Sequence, residues 1–210
     1  MRRIKWVFFM ICAITMSYLV SMFLGTTGAA SNTGTIKGTV KVLRSRNSAD
    51  AVVYLERIGD NTFAPPEKHA MIDQKNLRFI PHVLPILKGT TVDFPNSDNV
   101  RHNVLSPPGT AKQFNLGTYD VGVTKSVTFE EEGEVPLLCN VHTEMSAFIV
   151  VLPNPYFAVT DRRGNFSIEG VPPGTYTLET WHERMRSVSQ EVTVETKTTA
   201  EVQLTLKKRR

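Results

Sequence analysis

Ile36, Gly38, Val40 and Val42 alternate with polar residues, the period-two pattern of a strand buried on one face. A polar turn over residues 44–50 leads to a short apolar strand, Ala51-Val-Val-Tyr-Leu55, and then to a breaker-rich loop over 59–66. No helical periodicity occurs in this stretch. Apolar runs at 83–87, 90–94, 125–129, 135–138 and 146–152 follow, separated by turns such as Lys88-Gly89 and Glu130-Glu-Glu-Gly133. The segment 114–122 is punctuated by Gly117 and Gly122. Beyond Pro153-Asn154-Pro155, strands are predicted at 156–160, 166–168 and 176–180. Val192 and Val194, then Val202, Leu204 and Leu206, predict a last hairpin around residues 196–199. Short strands broken by turns every eight to twelve residues or so point to an all-β chain built of β-sandwiches.

The N-terminus departs from this pattern. Arg2, Arg3 and Lys5 precede residues 6–24, which carry no charge, and Gly28 and Ala30 are small residues placed for cleavage before Ser31. This is the plan of an export signal. The run is also nearly long enough to cross a bilayer, so anchoring to a membrane through residues 6–24 stands as the alternative to cleavage. Arg2-Arg3 is the dipeptide of the twin-Arg route, although the residues after it fit that signal poorly. Export predicts a periplasmic or other extracytoplasmic location. The 210 residues carry 24 basic and 20 acidic side chains, but three of the basic ones lie in the leader and no acid precedes Asp50. Without residues 1–30 the net charge is about +1, which speaks against nucleic acid as a partner. The basic tail, residues 207–210, reads as a solvated terminus.

The chemistry is concentrated in Cys139-Asn-Val-His142-Thr-Glu-Met145, with His102-Asn103-Val104 upstream. With Cys12 in the leader, Cys139 is the one cysteine of the exported part and cannot form an internal disulfide. A buried structural thiol would not explain a His at the third position beyond it and a Met at the sixth. Two imidazoles, one thiolate and a weak axial thioether form the ligand set of an electron-transfer copper site. The sulfurs favour Cu(I) and imidazole suits either oxidation state, so one ion could be held as both. His69, His82 and His182 read as solvated or structural, with His82 also a candidate for supporting the ligands from outside or for binding a second metal, and His182 a candidate for facing the copper region.

On these residues the segment 68–152 resembles the cupredoxins, the small blue-copper proteins, and its short Cys-to-His-to-Met loop is most similar to the amicyanin group. The resemblance implies a Greek-key β-sandwich with one copper ion near one end. His102, Cys139 and His142 would be equatorial ligands, Met145 the axial one, and Asn103 would hydrogen-bond across to the Cys segment. His142 would be the partly exposed ligand through which electrons reach an unidentified redox partner protein. Pro107, Pro108 and Ala147 would belong to the apolar docking surface. Val141 stands where several relatives have Pro. Glu144 is the alternative axial donor of red or green copper variants.

A second resemblance lies in Asp161-x-x-Gly164-x-Phe166-x-Ile168-x-x-Val171-Pro-Pro-Gly174-x-Tyr176-x-Leu178, which is similar to the carboxypeptidase regulatory-like module, a transthyretin-type sandwich. That module opens with strands patterned Gly-x-Val and Ala-x-Val-x-Leu, absent after residue 153 but present as Gly38-Thr-Val40 and Ala51-Val-Val-Tyr-Leu55. The implied organisation is a leader (1–30), a discontinuous regulatory-like sandwich (31–61 with 153–206), a copper domain inserted into it (62–152) and the tail. The alternative is linear, with 31–67 as extra strands of the copper domain. The function predicted is that of an exported electron carrier and not an enzyme, since copper oxidases and nitrite reductases need further His clusters. The competing reading is a copper-storage or cell-surface structural protein without redox turnover.

Overall fold

The computed structural model describes residues 32–209, and among these no helix occurs. The strands are β1 (Gly34–Val42), β2 (Val52–Leu55), β3 (Ala70–Met71), β4 (Asp73–Gln74), β5 (Phe79–Ile80), β6 (Val83–Leu87), β7 (Thr91–Pro95), β8 (His102–Ser106) and β9 (Phe114–Tyr119). They continue as β10 (Thr124–Thr128), β11 (Gly133–Leu138), β12 (Ser146–Leu152), β13 (Phe157–Val159), β14 (Asn165–Val171), β15 (Gly174–Trp181), β16 (Ser189–Val194) and β17 (Thr199–Leu206). The apolar leader and its cleavage position lie outside the described residues.

β1 uses its alternation as read: Ile36, Val40 and Val42 are buried while Lys37, Thr39 and Lys41 face outward. It runs antiparallel to β14 and parallel to β17. Gly38 lies opposite Val202, and a Cβ there would strike the Val202 carbonyl, so close approach of the backbones requires glycine at this point. The facing sheet has the order β13-β2-β15-β16. The inner faces of both sheets share one core, including Ile36, Val53, Leu55, Phe166, Leu178 and Leu204. Segments far apart in sequence therefore close one sandwich: Ala51 N donates to Thr160 Oγ1 at 3.1 Å, 109 residues away.

The last hairpin expected from the sequence does not form. β16 pairs with β15, whereas β17 crosses to the other sheet and pairs with β1 over residues 199–206. Lys197, at φ 58°, makes the crossing, its amide donating to Thr33 O at 3.0 Å. Alternation reports which face of a strand is buried and is silent about its neighbour.

The remaining strands form a five-stranded sheet, β6-β12-β11-β8-β9, a three-stranded sheet, β10-β7-β3, and the ribbon β4-β5. Their core includes Val92, Phe94, Val104, Phe129, Leu137 and Ile149, and it also contains Cys139 and Met145. The segment beginning at Phe114 is a strand, its register against β8 shifted by an irregularity between Asn103 and Leu105. β12 is apolar on both faces for a reason the structure supplies. Ala147, Ile149 and Val151 enter this core, while Val150 and Leu152 pack with Val52, Val83, Phe148 and Trp181 in a third cluster shared with β2 and β15. Trp181 Nε1 closes that contact by donating to Glu134 Oε2 at 2.9 Å.

Candidate metal centre

β8 and β11 are neighbours, with Leu105 opposite Leu138. The start of one strand and the end of the other therefore deliver His102 and Cys139 to the same place. The turn that follows is closed on itself: Met145 N donates to His142 O at 3.0 Å and Cys139 N to Met145 O at 3.3 Å. His142 is thereby folded back over His102, with ring centroids 4.8 Å apart and the two Nδ1 atoms separated by 3.0 Å. The donor atoms of His102, Cys139 and His142 all lie within 4.8 Å of one another. Met145 is buried in the same core as Cys139, at 1% exposure. His102 and Cys139 are buried and His142 is half-buried, so the site touches solvent through the His142 edge.

Asp98 orients the buried imidazole. Its Oδ2 accepts from His102 Nε2–H at 3.0 Å, which leaves Nδ1 as the lone-pair nitrogen. His142 Nδ1 faces that lone pair at 3.0 Å, so the two imidazole nitrogens converge. Asp98 is held in turn by the Leu77 amide at 2.8 Å and the Asn99 amide at 2.9 Å. Leu77 above all, then Asn99 and His102, keep the carboxyl below the usual carboxylate range against the opposing effect of burial. The Leu77 amide is aimed by a turn in which Asn76 and Leu77 both take positive φ, 53° and 56°. Asn96, fully buried, shapes the loop by accepting from Asp98 N at 3.1 Å and donating to Val100 O at 2.9 Å. Below the site Tyr119 OH donates to Phe94 O at 2.9 Å, and burial, opposed by the Gln74 hydrogen bond and aided by nearby Cys139, pushes its pKa up to about 12.

Two expectations need correction. Asn103 is buried, but its Nδ2 donates to Asn115 Oδ1 at 2.8 Å and its Oδ1 has no partner among the described residues, instead of bonding across to the Cys segment. The register shift after Asn103 turns that side chain toward β9. Ala147 is fully buried and takes no part in any surface, since the alternation of β12 points it into the core. Pro108 is exposed, Pro107 half-buried and Val141 47% exposed. The other histidines lie outside the donor cluster. His69 pairs with Asp93 at 2.9 Å at the surface, and His182 Nδ1 accepts from Arg184 N at 3.1 Å. His82 donates from Nδ1 to Ser146 O at 3.1 Å.

Residues 146–207 match the family model of the carboxypeptidase regulatory-like domain. That stretch begins at the first residue of β12 and omits β1 and β2, the strands that complete both sheets of β13–β17. Similar solved structures include a purple cupredoxin from Nitrosopumilus maritimus, 29% identical, covering 39% of this chain and 98% of its own, at a TM-score of 0.36. A reduced Cu(I) form of an amicyanin variant is 21% identical over 47% of this chain and 97% of its own, at 0.38. A copper-containing nitrite reductase from Thermus scotoductus is 24% identical over 48% of this chain, at 0.40, and the matched part is 25% of the reductase. No curated protein sequence matches the chain.

The donor set is chemically suited to copper. It offers two imidazole nitrogens, one of them on a ring held by a carboxylate, and one thiol, with a thioether buried in the same core. Asp98 and the Leu77 turn were missed by sequence reasoning. The one signal that could have found Asp98 is an acid four residues before His102 in the loop that delivers it.

Proposed function

We propose that the chain is an exported mononuclear copper protein that carries one electron at a time, with the ion held by His102, Cys139, His142 and Met145. The observation that supports this reading is the convergence of His102, Cys139 and His142 from two separate strand ends onto one point. Bound there, copper would supply a one-electron couple between Cu(I) and Cu(II).

The side chains have distinct tasks. Cys139 would hold the ion as a thiolate, as coordinating thiols do. His102, buried and held by Asp98, sets the direction of one donor. Met145, buried in the same core as Cys139, would supply the weak axial thioether. The turn between β11 and β12 is braced by its own hydrogen bonds, which limits movement between oxidation states and keeps the reorganisation barrier low. His142, half-buried beside exposed Val141, gives the electron its way out, and a redox partner protein docks against that edge.

The reading extends to organisation and place. The copper domain (62–152) is inserted into a sandwich made of 31–61 and 153–206, supported by the pairing of Gly38 with Phe166 and Val202. The chain works outside the cytoplasm, with residues 6–24 as signal or anchor, and acts as a carrier, not a catalyst. Addition of Cu(II) is expected to produce intense thiolate-to-copper absorption that disappears on reduction and in Cys139→Ser. A wild-type protein that binds Cu(II) without that band refutes the proposal.

A further inference from the structure

The turn that carries Met145 is tied to the second sandwich through one side chain. His82 stands one residue before β6, where the parallel ladder with β12 begins, and Phe148 N donates to His82 O at 2.8 Å. The ring carries that pairing one step further, Nδ1–H donating to Ser146 O at 3.1 Å. A carbonyl only accepts, so this bond keeps the proton on Nδ1 and leaves Nε2 pointing away from β12. Nε2 meets Glu183 Oε2 at 3.5 Å, and because a carboxylate also only accepts, the two attract when Nε2 carries a proton as well, the ring then bonding at both ends. Glu183 follows β15, so the contact crosses from one sandwich to the other.

Ser146 directly follows Met145. The carbonyls on both sides of that peptide are therefore pinned: Met145 O by Cys139 N, and Ser146 O by His82. The ring is seated edge-on against Phe148, with centroids 5.8 Å apart, and Phe148 packs on Trp181 at 5.3 Å. A cleft of about 610 Å³, lined in part by Asp50, Arg78, His82, Glu144 and Glu183, reaches Met145 from this side. Met145 stays only 1% exposed with that cleft beside it.

We propose that His82 is a positioning residue for the thioether of Met145, and that Glu183 of the second sandwich determines how firmly that ligand is held. This rests on the copper reading above. It gives the second sandwich a part in setting the reduction potential, through a brace on the axial ligand and without any contact to the metal. Residues that orient ligands from outside the coordination sphere carry large effects on metal affinity.

The test uses the full chain with His82→Phe, which keeps a ring against Phe148 but cannot donate, and with Glu183→Gln, which lies outside the copper region. His82→Asn, whose amide can donate to Ser146 O, serves as the rescue. In His82→Phe the ratio of Cu(I) to Cu(II) binding constants is expected to change by about tenfold, equal to about 59 mV for one electron. The relative intensities of the thiolate-to-copper bands should change with it. Glu183→Gln should give a smaller shift in the same direction, the double variant no more than His82→Phe alone, and His82→Asn a value near wild type. In the metal-free chain the Met145 amide should exchange several-fold faster in His82→Phe. A wild-type chain without the band overturns both the copper reading and this inference. A normal band, with potential and band ratio unchanged in His82→Phe and Glu183→Gln, overturns the inference alone, and faster amide exchange without spectral change does the same.

Discussion

Replacing Asp98 by alanine tests whether the buried imidazole is aimed before a metal arrives. The carboxylate takes hydrogen bonds from His102 Nε2 at 3.0 Å and from the amides of Leu77 and Asn99 at 2.8 and 2.9 Å. Leu77 and Asn99 are exposed, so water can replace the lost acceptor for both amides. His102 is fully buried, and its Nε2–H is left with none. Loss of a bond to a charged acceptor costs about 1.5–3 kcal/mol. The ring can escape that cost only by rotating or by moving its proton to Nδ1, and either change takes the lone pair away from the metal. Cu(I) affinity should therefore fall by about 10- to 100-fold, or about 1.4–2.7 kcal/mol, which lies within the range of that single bond. Competition with a Cu(I) chelator measures the affinity, and thermal melting of the metal-free chain shows that the fold is retained. Asp98→Asn sharpens the test. Oδ2 serves two donors and Oδ1 only one, so the amide keeps its oxygen toward His102 and turns its NH₂ to the exposed Asn99 amide. This variant should fall between wild type and Asp98→Ala. Unchanged affinity in a folded Asp98→Ala protein, or weaker binding by Asp98→Asn than by Asp98→Ala, refutes the reasoning.

Met145→Gln should lower the reduction potential while copper stays bound, because a harder axial donor favours Cu(II); voltammetry showing no change removes Met145 from the axial role. Gly38→Ala forces a Cβ against the Val202 carbonyl and should destabilise the chain by about 1–3 kcal/mol, lowering Tm by about 2–4 °C for each kcal/mol, with copper affinity unaltered. An unshifted melting curve would mean that β1 and β17 do not approach as described. Burial lowers the pKa of His182, aided by Arg184 and His82 and opposed by Glu183 and Asp50. The unfolded chain then takes up the proton first, so this group leaves stability untouched above the unfolded value of about 6.5 and reduces it as pH falls from there to the lower folded value. His182→Phe should flatten that decline in denaturant titrations, and equal slopes in both proteins would count against it.

The sheet content of this chain was legible where one face of a strand meets water. β1 and β17 show a clean alternation because each buries a single side. β12 reads instead as an unbroken apolar run, and its second buried face becomes intelligible only with Val52 and Trp181 lying against it. Pairing was less legible. The arms of the expected final hairpin have the right pattern on both sides of the turn at Lys197, yet the second arm finds a longer partner in β1. The competing pairing joins residues more than 150 positions apart, and nothing local to the turn encodes it.

The candidate ligands were legible for a different reason. Cys139, His142 and Met145 share one short turn, so their relation is local and survives in the spacing, and the ligand set's need for a second imidazole pointed to His102 upstream. The groups packed around these candidate ligands have no such local mark. Asp98 matters because the Leu77 turn and the start of β8 meet around it, and His82 because β12 and the segment after β15 meet around it. Each is a common residue type whose role exists only in the contact. Ala147 fails for the converse reason: closeness to Met145 in sequence suggests the surface near the site, but a strand returns to the same face every second residue, and that face of β12 is the core. A metal site of this kind is thus specified in two registers. The donors are written as a motif, and their rigidity is written as packing between elements that the motif does not contain. Substitutions at His82 or Asp98 should accordingly leave the motif intact while changing what the site does, the behaviour that separates a braced ligand set from one that is merely present.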